Sequence, residues 1–167
     1  MRRILTVLVV CFLLLCGCEK EKEIPYAEMS EDFAFHFTFG IGGWEELNTY
    51  YGYLVKDLVE NGRQDAAITV SREDLQEIYN HFSAYGIGDL SGEYYPENVD
   101  LKPKALYTFS YTVNGETRTV VSDGTIELGV NTTDEMDDLA AFFRYLSAYV
   151  RQTDVYRSLP EPVGAYE

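Results

Sequence analysis

Phe33, Phe35, Phe37 and Phe39 alternate with Ala34, His36 and Thr38, the two-residue period of a strand that buries one face and exposes the other. Gly40, Gly42 and Gly43 interrupt that run, and Tyr50 to Leu58 reads as a second, less regular strand. Asn61-Gly62 marks a turn, after which Ala66, Ile68 and Val70 carry a third, short strand. The period then changes. Leu75, Ile78, Tyr79 and Phe82 fall at i, i+3, i+4 and i+7, so one stripe of a helix faces inward. Ser71 caps this helix, Asp74 completes a partial capping box, Val70 and Leu75 have the spacing of a hydrophobic staple, and Gly86 stops it.

Residues 86–103 lack any period and contain Gly86, Gly88, Gly92, Pro96 and Pro103, which predicts a long loop. Tyr107, Phe109, Tyr111 and Val113 then alternate with Thr108, Ser110 and Thr112 as far as Asn114-Gly115. That dipeptide suits a type I′ hairpin turn, which needs positive φ at both central residues, and a two-residue turn sets Phe109 opposite Val120. Asp123-Gly124 predicts another tight turn into a strand through Ile126, Leu128 and Val130. Thr132 to Glu135 form a second capping box, and Met136, Leu139, Ala140, Phe143, Leu146 and Val150 repeat the helical stripe. Pro160 and Pro162 make the end of the chain an extended tail. The order β-β-β-α-β-β-β-α predicts an α+β fold: a mainly antiparallel sheet of five to six strands with two helices packed on one face.

The start of the chain is of another kind. Met1-Arg2-Arg3 precedes an uncharged run from Ile4 to Leu15, and Glu19-Lys20-Glu21-Lys22-Glu23 follows Cys18. That is the order of a secretory signal, and the about 15 apolar residues from Ile4 to Cys18 fall short of the roughly 17–25 that span a bilayer. Leu15-Cys16-Gly17-Cys18 resembles the lipobox of bacterial lipoproteins, with Cys16 where a smaller or β-branched residue is usual. The resemblance implies cleavage before Cys18, a diacylglycerol on its thiol, and a protein held on the extracytoplasmic side of the cell membrane. Two acyl chains suffice for lasting attachment. The expected division is a signal over 1–17, the lipidated Cys18 and a tether over 18–31, and one domain over 32–167. In overall plan the chain also resembles the small lipoproteins of Gram-positive bacteria.

Charge narrows the partners. The net charge is −15, and losing residues 1–17 with Arg2 and Arg3 leaves −17 on 150 residues. Such a polyanion repels nucleic acid and anionic headgroups and tolerates cationic or neutral partners. All three cysteines, Cys11, Cys16 and Cys18, lie at the start, so the mature domain has no disulfide, thiolate metal site or cysteine nucleophile.

Candidate chemistry is sparse. His36 and His81 are the only histidines; neither has the setting of a nucleophilic triad, and two in distant elements make no zinc site. The glycines match no phosphate-binding or dinucleotide fingerprint, and no acidic run has EF-hand order. No catalytic residue, metal or cofactor is therefore assigned. Glu45 and Glu46 beside Trp44, the single tryptophan, resemble the acid-plus-aromatic setting of a sugar site. Tyr94 and Tyr95 lie in the aperiodic stretch, and exposed tyrosines suit recognition. Trp44, Glu45, Tyr94 and Tyr95 are the candidate binding residues. The expected function is a membrane-anchored, non-catalytic binding or accessory module for an exported protein, a peptide or a wall component. The alternatives are an inhibitor or immunity-type protein covering a basic partner, and a cell-envelope hydrolase drawing a carboxylate pair from Glu45, Glu46, Glu93 and Asp100.

Overall fold

The phenylalanine alternation becomes β1 (Ala34–Phe39) in a computed structural model that describes residues 22–166; the predicted signal, Cys18 and its nearest neighbours lie outside the described residues. After β1 come β2 (Glu45–Asn48), β3 (Tyr53–Asp57), β4 (Arg63–Ala67) and helix α1 (Arg72–Ala84). Next are a 3-10 turn at Ile87–Asp89, β5 (Gly92–Tyr94), β6 (Leu106–Val113) and β7 (Glu116–Asp123). A 3-10 turn at Gly124–Leu128, helix α2 (Asp134–Gln152) and a short helix α3 (Asp154–Ser158) complete the order. The fold is α+β, with seven strands in the order β4-β3-β2-β1-β6-β7-β5. Every pairing is antiparallel except β5 with β7, so the sheet is mixed.

β1 sits at the centre, with Phe37 opposite Leu47 on one side and Phe109 on the other. Phe35, Phe37, Phe39, Phe109 and Tyr111 all point to one face and are buried. Ile78 and Phe82 of α1 and Leu139, Phe142, Phe143, Leu146 and Val150 of α2 close over them. Each fully buried ring or aliphatic chain of this kind contributes roughly 1.5–3 kcal/mol. The rings meet edge to face, as Phe109 does with Phe142, or offset, as Tyr107 does with Phe143. Tyr111 reaches past the sheet, and its hydroxyl, with a single proton to donate, lies 3.0–3.2 Å from the carbonyls of Ile87, Gly88 and Leu90, which share it. One phenol thereby fastens the turn after α1 to the core.

Several predicted elements stand where expected. Ser71 Oγ accepts from the Asp74 amide at 3.0 Å and starts α1, and Phe109 faces Val120 across the Asn114-Gly115 turn, whose residues have φ of 52° and 78°. Others differ for identifiable reasons. The second predicted strand is shorter, because residues 49–52 form a turn before β3. β2 went unpredicted: its sequence, Glu-Glu-Leu-Asn, shows no apolar alternation, and its inward Glu45 is buried by a polar partner instead. The third strand, expected through Val70, ends at Ala67, and the chain leaves the sheet to reach the Ser71 cap.

The strand expected through Val130 is also absent. Asp123 caps a 3-10 turn by accepting the Thr125 amide at 2.9 Å, and the place beside β7 is taken by β5, drawn from the stretch predicted as loop. Thr133 caps α2, one residue after the expected Thr132. The expectation of five to six strands and two helices is thus corrected to seven strands and three helices among the described residues.

Residues expected to form a tether are partly bound. The peptide of Ala27 is held at both ends by α1: its amide donates to Asn80 Oδ1 at 3.0 Å, and its carbonyl accepts from Gln76 Nε2 at 2.8 Å. Asp32 accepts from the amides of Asn114 at 2.9 Å and Gly115 at 2.6 Å. Lys22 lies 2.6 Å from Asp138 of α2 and 4.6 Å from the centroid of Tyr85. At the other terminus the tail crosses the end of β3, where Val163 pairs with Val59 and the Tyr166 hydroxyl donates to Asp57.

Candidate functional site

Strand alternation decides which of the candidate residues can act together. Glu45 and Leu47 point toward the helices, whereas Trp44 and Glu46 have the opposite parity and share with His36 and Thr38 of β1 the face left uncovered among the described residues. Trp44 and Glu45, neighbours in sequence, therefore lie on opposite sides of the sheet.

On the uncovered face Glu46 is the hub. Its Oε2 lies 3.0 Å from His36 Nε2 and accepts from the Tyr53 hydroxyl at 3.3 Å, while Oε1 accepts from Arg63 Nη1 at 3.4 Å. The Arg63 guanidinium sits 5.1 Å from the Trp44 ring centroid, a cation–π contact. Trp44, 46% exposed, is pressed against Gly42: a Cβ there would stand 1.9 Å from the indole nitrogen. Glu46, Tyr53, Val55, Arg63 and Asp65 line a shallow depression of about 440 Å³. Farther along the same face, hydroxyls pair across the strands, Ser110 with Thr119 at 2.9 Å and Thr112 with both Thr117 and Tyr50 at 2.8 Å. The result is a flat field of donors and acceptors held in place by one another.

Glu45 belongs to a different arrangement. Only 7% exposed, it takes the Arg151 guanidinium at 2.6 Å and the Tyr156 hydroxyl, which ties β2 to α2 and α3. Burial and the hydrogen bond to Glu45 hold the Tyr156 phenol far above its ordinary range. This group borders a cavity of about 370 Å³ with Asp57, Tyr107 and Tyr166. Its carboxylate is already occupied by protein partners.

Tyr94 ends β5 and Tyr95 follows it, at the same end of the sheet as Trp44 but four strand spacings from β2, about 19 Å at the usual inter-strand distance. Tyr94 packs on the core, and its carbonyl accepts from Ser122. Tyr95 is 41% exposed, and burial of its hydroxyl end, followed by the charges of Glu93 and Asp123, raises its phenol. The four candidate binding residues accordingly occupy three separate places.

The chain matches no model of a known protein family and no curated protein. Function therefore rests on geometry.

The carboxylates considered for a hydrolase are dispersed: Glu45 faces the helices, Glu46 the open face, Glu93 lies on the far edge strand, and Asp100 pairs with Lys104 at 3.6 Å. Glu45 and Glu46, the two that adjoin Trp44 in sequence, thus lie on opposite faces of the sheet. Among the described residues no group of three or more His, Cys, Asp or Glu is placed to hold a metal, and no helix is long and apolar enough to cross a membrane. His81 lies off the sheet, stacked on Tyr145 at 3.6 Å, with its Nδ1 buried and unpartnered. Burial lowers its pKa below the ordinary histidine value, against the pull of Glu77. The residues that sequence reasoning missed are Glu46 as the hub, Tyr53 and Arg63. Reading Glu45 to Asn48 as a strand would have put Trp44, Glu46 and His36 on one face.

Proposed function

We propose that this protein is a lipid-anchored extracytoplasmic binding module without catalytic chemistry, held by a diacylglyceryl group on Cys18, and that its uncovered sheet face meets an exported protein, a peptide or a wall component. The observation that supports this most is the asymmetry of the sheet: one face is sealed by helices, while the other offers Trp44, Arg63, Glu46, His36 and rows of hydroxyls that no described element covers. Backbone pairing fixes these groups in advance, which lowers the entropy lost when a partner settles on them. The negative charge of the mature body selects against polyanions and in favour of neutral or cationic surfaces.

The test has two arms. Mass spectrometry of protein from the membrane fraction should find a chain starting at a diacylglyceryl-modified Cys18; an unmodified cysteine or a retained Met1–Gly17 overturns the anchor. In intact cells a photocrosslinker at Ser110 should capture an exported partner that the same group at Ala148, on the exposed side of α2, does not. Equal capture, or none, overturns the role of the sheet face.

A further inference from the structure

We infer that the anchor fixes the orientation of the domain, with the helix layer turned to the membrane and the uncovered sheet face turned away from it. This rests on the proposed lipid at Cys18, and the rest is geometry. Lys22 sits where the C-terminal end of α1 meets the first turns of α2, at the head of a column that runs between the two helices: its ammonium lies 4.6 Å from Tyr85, Tyr85 stacks on His81 at 6.0 Å, and His81 stacks on Tyr145 at 3.6 Å. The column bridges α1 and α2, so the chain leaves the domain over the helices and not over the sheet. Only Glu19, Lys20 and Glu21 stand between Cys18 and Lys22, and four fully extended steps reach about 14 Å. A helix layer alone is about 10 Å thick. A leash this short, starting outside the helices, cannot pass around the domain to bring the opposite face to the lipid.

The hold on the leash is more than one surface ion pair. The exposed Lys22–Asp138 contact contributes under about 1 kcal/mol by itself. Five residues on, Gln76 and Asn80 grip both ends of the Ala27 peptide and each other, at 2.8–3.0 Å, and Met29 packs on the core. Charge sets the lower limit of approach. Asp134, Glu135, Asp137 and Asp138 crowd the first turns of α2 next to Lys22, and an anionic leaflet repels them within a Debye length of roughly 8 Å. The body is thus suspended a short way above the headgroups, neither embedded in them nor free to roll over.

Because the mature chain carries no thiol other than the acylated one, single reporters can be placed by substitution. The lipidated protein is reconstituted into phosphatidylethanolamine–phosphatidylglycerol vesicles containing a rhodamine lipid, with a donor dye on Glu77→Cys of α1 or on Thr119→Cys of the open face. Helix and sheet faces lie roughly 20 Å apart, so transfer to the rhodamine should be about twofold or more higher from position 77. Gln76→Ala with Asn80→Ala frees the leash and should bring the two values together. Equal transfer from both positions in the unaltered grip, on protein that floats with the vesicles, overturns the orientation while leaving the anchor in place. Protein that neither floats nor transfers overturns both.

Discussion

Glu45 and Arg151 form an unequal pair, and the inequality can be measured. The carboxylate belongs to a residue 7% exposed, whereas half of the Arg151 side chain is in water. Replacing arginine by methionine keeps the aliphatic packing over Phe39, from which the guanidinium carbon lies 5.3 Å at the ring centroid, but strands a buried carboxylate. Stranding a buried charge costs about 3–5 kcal/mol, and the surviving hydrogen bond from Tyr156 places the expected loss near the lower end. The reverse change, Glu45→Gln, keeps the shape and an acceptor for Tyr156. Arg151 turns to water, so only about 1 kcal/mol, one charge-assisted hydrogen bond less its replacement, is lost.

For a chain of this length each kcal/mol moves the melting temperature by about 2–4 °C, so Arg151→Met should lower it by about 6–12 °C and Glu45→Gln by about 2–4 °C. In the double variant the stranded carboxylate no longer exists, and the combined loss should be smaller than the sum of the single losses. Urea titration followed by circular dichroism supplies all four corners of this cycle. Strict additivity, or a Glu45→Gln loss as large as that of Arg151→Met, would refute the assignment of the carboxylate as the buried partner.

Three other outcomes follow from separate features. The lowered pKa of His81 means that the unfolded chain binds a proton more readily, so stability is complete above about pH 6.5, the ordinary value, and falls as pH drops below it; His81→Phe should flatten urea midpoints over pH 5–7, and an unchanged slope would count against the buried ring. Tyr111→Phe removes the donor shared by three carbonyls and should cost about 1–3 kcal/mol, with faster amide exchange concentrated at Ile87 to Leu90. Gly42→Ala, with φ of 64° and a Cβ 1.9 Å from the indole nitrogen, should cost about 1–2 kcal/mol from the backbone and shift the emission of Trp44. At Gly115, where φ is 78° and nothing lies within 4 Å of the added carbon, alanine should carry the backbone cost and leave the emission unmoved.

What could be read in advance follows from where apolar side chains do the work. β1, the β6–β7 hairpin and the two long helices bury regular apolar stripes, and their periods, the hairpin register and the Ser71 cap were legible, whereas the cap of α2 lies one residue beyond the expected Thr132. β2 and β4 were obscure because charged and amide residues dominate them: Glu45 is buried by Arg151, while Arg63, Gln64 and Asp65 lie exposed on the edge. β5 is three residues long and pairs in parallel, and neither length nor composition advertises such a strand. Asp123-Gly124 has the composition of a hairpin turn and of a helix cap alike, and only the presence of β5 beside β7 selects the cap. The site was half legible for the same reason: Trp44 stood out as a residue type, but which carboxylate shared its face depended on the phase of a strand that had no apolar phase to read.

The grip on Ala27 and Asp32 also determines what a protease would release. A cut between Cys18 and Lys22 would part the domain from the proposed lipid site and leave every described hydrogen bond of the N-terminal segment intact, from Ala27 on α1 to Asp32 on the hairpin turn. If the proposed anchor holds the protein, the shed body would keep its sheet and helices and differ from the anchored form only in being able to diffuse. A cut a few residues later, between Ala27 and Asp32, would part the α1 grip from the hairpin grip, so the position of the scission separates a soluble form from a damaged one.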